Sequence, residues 1–85
     1  MLRKNNPVGL TREQKERITL VLIGFQSGNM TKDNTINRIA GLLSDRKTLS
    51  KERCSDLEDV FMGVGFGSDE AKELLRLVKR THQDK

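Results

Sequence analysis

Chemistry needs reactive side chains close together, and this chain has one cysteine, Cys54, and one histidine, His82. A cysteine nucleophile requires a base beside it. Cys54 falls within a helical apolar stripe, which suits an ordinary buried thiol. His82 lies in the polar run Thr81-His-Gln-Asp-Lys85, which reads as a solvated tail. One Cys and one His cannot form a disulfide or a four-ligand metal site. The glycine stretch Met62-Gly-Val-Gly-Phe-Gly67 lacks the Lys-Ser/Thr of a phosphate loop and follows no predicted strand, so it reads as a helix-ending turn. No catalytic residue, cofactor or metal is expected, and the chain reads as a non-enzyme.

Three sets of residues suit binding instead. Glu52, Asp56 and Asp59 recur at i, i+4 and i+7, so a helix carries them on one face. Exposed carboxylates without an apolar pocket make poor general acids. They suit a basic partner, such as the DNA-reading face of another protein, or a plain solvated face. Lys72, Arg76, Lys79 and Arg80 recur at i, i+4, i+7 and i+8 and could follow phosphates, pair with acids, or face water. The third set is apolar: Leu20 and Ile23, joined by Met62 and Phe66 of the glycine stretch, as an oligomer or partner interface.

The elements that must position these residues are helices. Thr11-Arg-Glu-Gln14 forms a capping box and opens a first helix to about Gln26. On its wheel Ile18, Val21, Leu22 and Phe25 form one stripe, with Leu20 and Ile23 nearly opposite. Either the other helices wrap this one, or the second apolar face binds something. The β-branched run Ile18–Ile23 leaves a buried strand as the alternative over residues 18–25. Thr31 and Asp33 signal the second helix, with stripe Ile36, Ile39, Ala40 and Leu43. Thr48 or Ser50 caps the third, with stripe Cys54, Leu57, Val60, Phe61 and Val64. Ser68-Asp69-Glu70 caps the fourth, whose stripe is Ala71, Leu74, Leu75 and Val78.

The expected fold is therefore all-α: a bundle of about four short amphipathic helices, completed by oligomerisation. Residues 1–10 read as a mobile basic arm carrying Arg3 and Lys4, 11–81 as one helical domain, and 82–85 as a polar tail. Ile39-Ala-Gly-Leu-Leu43 begins like a helix-turn-helix, but the segment that would enter the groove carries Glu52, Asp56, Glu58 and Asp59, which phosphates repel.

Composition sets the outer limits. Eighty-five residues permit one small domain with a limited core. The formal charge of +4 permits a polyanionic partner without requiring one. Residues 51–70 run against it, with two bases and six acids. The longest apolar run, residues 18–25, is too short to span a membrane, and no cleavable leader is evident, so a cytoplasmic protein of bacterial or phage size is expected. The leading expectation is a small regulatory or adaptor protein that binds another protein, such as an antirepressor-like inhibitor of a DNA-binding repressor. The alternatives are a direct DNA-binding regulator using the arm and fourth helix, and a structural assembly subunit.

Overall fold

The computed structural model describes residues 9–45 and 47–83. They form four α-helices: α1 (Arg12–Gln26), α2 (Lys32–Leu42), α3 (Lys51–Gly63) and α4 (Ser68–Gln83), with no strand among the described residues. The β-branched run Ile18–Ile23 is helical throughout. Its propensity yields to the strong start before it, where the Thr11 hydroxyl accepts from Gln14 N–H and the Gln14 side chain accepts from Thr11 N–H, both at 3.0 Å. Thr31 caps α2 through Asn34 N–H, and Ser50 rather than Thr48 caps α3 through Arg53 N–H. The start of α4 lies one residue earlier than expected: Ser68 is already helical, and the Gly67 carbonyl accepts from Ala71 N–H.

Two helices end in the same way. Gly28 (φ 82°) and Gly65 (φ 109°) adopt the left-handed conformation that glycine takes without a Cβ penalty. After α1, Asn29 N–H donates to Gly24 O and Gly28 N–H to Phe25 O. After α3, Phe66 N–H donates to Phe61 O and Gly65 N–H to Met62 O. These paired bonds satisfy carbonyls that a helix end would leave orphaned. They also turn the chain sharply, so neighbouring helices fold back on each other.

The helices bury one stripe each. Ile18 and Leu22, Ile36 and Ile39, Leu57 and Phe61, and Leu74 and Val78 meet in a single core that Leu43, Ala71 and Leu10 complete. Each large side chain fully withdrawn from water contributes about 1.5–3 kcal/mol before entropy is counted. α1 packs on α2 and α3, and α4 packs on the same two, while α1 and α4 are not neighbours. They stand diagonally across the bundle. α1 is thus not wrapped on all sides, and its outer face stays open.

Both ends of the expected domain shift. Leu10, placed in the arm, is buried in the core, and its N–H donates to the Asp56 carboxylate at 2.9 Å. His82, placed in the solvated tail, is a buried residue of α4. Residues 1–8, with Arg3 and Lys4, and residues 84–85 lie outside the described residues. No helix among the described residues is long and apolar enough to cross a membrane.

Candidate functional site

The outer face of α1 is the clearest departure from a self-sufficient fold. Ile18 and Leu22 are fully buried, whereas Leu20 on the same helix is 68% exposed and Ile23 is 47% exposed. Leu20 forms a ridge between two shallow grooves. One is lined by Arg12, Lys15, Glu16 and Thr19; the other, towards α2, by Arg17, Val21, Arg38, Gly41 and Leu42. The charges around the ridge are mixed, and among the described residues only Glu13 and Arg17 of this set pair, in an exposed bridge of 3.2 Å that adds little stability.

The other two apolar residues expected at an interface divide. Met62 is exposed. Phe66 is half-buried, packs against the core and stacks on Phe25, with ring centroids 6.1 Å apart. Phe66 follows the Gly65 turn and closes it, as the apolar residue beyond such a turn commonly does. It belongs to the fold rather than to an open surface.

The acidic face of α3 is also divided. Glu52 and Asp59 are exposed. Asp56 is half-buried and accepts from Leu10 N–H, fastening the entry to α1 onto α3. A Cβ on Gly9 would overlap the same carboxylate, so glycine here is what lets Asp56 approach. Cys54 is half-buried and free. Among the described residues, no three His, Cys, Asp or Glu side chains are placed to hold a metal ion.

Lys72, Arg76, Lys79 and Arg80 are all exposed and line, with Leu75 and Gln83, an open groove of about 440 Å³. None of the four makes an ion pair among the described residues; the acid of α4 that does pair, Glu73, bridges to Lys32 of α2 at 3.1 Å.

A polar cluster that the sequence did not suggest joins all four helices at the end of α2. The Arg53 guanidinium is almost wholly buried and makes a two-pronged bridge to Asp45, at 2.9 and 3.0 Å. The Gln14 amide donates to Leu42 O at 3.3 Å and to Asp45 at 3.4 Å. His82 Nε2 lies 3.0 Å from Leu43 O. A carbonyl only accepts, so Nε2 carries the proton, and Nδ1 is buried with no partner among the described residues. Side chains of α1 and α4 thereby satisfy the carbonyls that α2 leaves open, and Arg53 of α3 clamps the loop that follows. Spacing was the available signal: His82 continues the Leu74 and Val78 stripe by i+4, and Arg53 precedes Leu57 and Phe61 by the same step.

No protein-family model, characterised protein or solved structure matches this chain.

Proposed function

We propose that this is a small non-enzymatic regulatory or adaptor protein that works through protein–protein binding, and that the outer face of α1 first joins copies of the chain. The observation that carries this reading is the pair Leu20 and Ile23, left in water on a helix whose opposite stripe already fills the core. Small domains with limited cores commonly gain stability by associating. An antiparallel pairing centred between Leu20 and Ile23 sets each against the other from a second copy, which is the self-complementary contact of a two-fold dimer. In that pairing the charged segment Arg12–Arg17 of one copy lies opposite the uncharged residues 26–31 of the other, so it brings no like charges together.

The assembled copies would present α3 to a further partner. Exposed Glu52 and Asp59 suit a basic protein surface, and an antirepressor of a DNA-binding regulator is the concrete form of that reading. Static light scattering across a concentration series tests the first step. The wild-type mass should rise towards a multiple of the 9.7 kDa chain. The Leu20→Asp/Ile23→Asp variant should remain folded at the mass of one chain. A wild-type protein that stays monomeric at every concentration overturns the reading.

A further inference from the structure

We infer that the groove along α4 is a binding site for the phosphate backbone of duplex nucleic acid, without sequence selectivity. This goes beyond the adaptor reading and rests on a different helix. Lys72, Arg76 and Arg80 stand one turn apart, so their helix positions advance by about 6 Å at each step. That is comparable with the separation of successive phosphates along a strand. Lys79 adds a fourth cation from the adjoining row. All four are exposed on one open groove and free of ion pairs among the described residues, so no internal bridge need break when an anion binds.

The lining distinguishes the ligand class. A protein ligand is held chiefly by apolar or aromatic anchors in a desolvated pocket. The one apolar side chain lining this groove is the half-buried Leu75. Single-stranded nucleic acid is held largely by bases stacking on aromatic rings. The chain has no Trp or Tyr, and its three Phe are committed: Phe61 is fully buried, and Phe25 and Phe66 stack on each other. Cations without stacking platforms fit an already paired duplex, read by its backbone alone. Because α1 and α4 stand diagonally across the bundle, a chain can hold a second copy on one side while α4 meets the duplex.

The test is fluorescence anisotropy of the full chain with a labelled random-sequence DNA duplex, titrated at several salt concentrations. With four phosphate contacts, affinity should fall about 150-fold between 50 and 200 mM salt, from a log–log slope of about −3.6. Arg76→Gln/Lys79→Gln should bind more weakly at 50 mM and fall only about 12-fold over the same range. Its thermal midpoint should match the wild type, since both side chains are exposed. Unlabelled duplex should displace the probe better than single strands or polyglutamate at equal charge. An unchanged salt slope in the double variant overturns the proposal, as does equal or better competition by polyglutamate or single strands. The Leu20→Asp/Ile23→Asp variant separates this result from the assembly reading, because per-chain binding at the α4 groove should survive in it.

Discussion

Asp56 can be a docking carboxylate or a structural one, and paired substitutions at Gly9 and Asp56 distinguish the two by the sign of an effect. In the structure Asp56 accepts from Leu10 N–H, and a methyl group at Gly9 would collide with the accepting oxygen. The obstacle is the end of a mobile side chain, so Gly9→Ala should turn the carboxylate aside rather than unfold the protein. A hydrogen bond to a charged acceptor contributes about 1.5–3 kcal/mol, and half-burial places this one near 1.5 kcal/mol. Against that loss, Gly→Ala restricts the unfolded chain and contributes about 0.4–1 kcal/mol where the backbone permits alanine. Gly9 is not among the positive-φ glycines, so its backbone does permit it.

The net effect of Gly9→Ala in the wild type is then a loss of about 0.5–1 kcal/mol. Asp56→Ala alone should cost about 1.5 kcal/mol. In the Asp56→Ala background no carboxylate remains to be displaced, so Gly9→Ala should become stabilising by about 0.4–1 kcal/mol. Urea unfolding followed by far-UV circular dichroism measures all four proteins on one scale, and the double-mutant cycle isolates the coupling. The same destabilisation by Gly9→Ala in both backgrounds would refute the account of Asp56 as the fastener between the α1 entry and α3.

Three further outcomes follow from the same geometry. Removing Asp45 by Asp45→Ala leaves the buried Arg53 charge without its bridge and should cost about 1–3 kcal/mol, whereas Arg53→Met, which removes the charge and keeps the bulk, should stay within about 1 kcal/mol of wild type by urea midpoint. His82→Ala removes the donor to Leu43 O and leaves a void between α2 and α4; a loss of about 2–3 kcal/mol and faster amide exchange in the last turn of α4 are expected. Gly65→Ala forces a side chain into the left-handed region and should lower stability by about 1–2 kcal/mol, read from the thermal midpoint.

Four helices and their order were legible because each carries its own start signal and an apolar stripe of helical period. Thr11 with Gln14, Thr31 and Ser50 do locally what such residues do at any helix start. Leu20 and Ile23 were legible for a related reason: a wheel reports which residues cannot share the buried face. What escaped is tertiary. His82 and Arg53 are polar residues on apolar stripes, and only a partner from another element decides whether such a residue turns inward. Those partners, Leu43 O and Asp45, sit in and around the loop after α2, where no period exists to place them. Pro7 and Gly9 make the segment before Leu10 read as an arm, although an apolar residue just before an N-cap is well placed to pack inward. Asp56 met the spacing rule for a shared acidic face, but spacing cannot reveal that a backbone N–H from 46 residues earlier arrives to meet it.

The most direct test of the central claim is the native mass of the wild type beside that of Leu20→Asp/Ile23→Asp, by light scattering over a hundredfold range of concentration. The account predicts a wild-type mass that climbs to a multiple of the chain mass and a folded variant that stays at one chain. A wild type fixed at one chain throughout, or a variant that assembles as the wild type does, would contradict it.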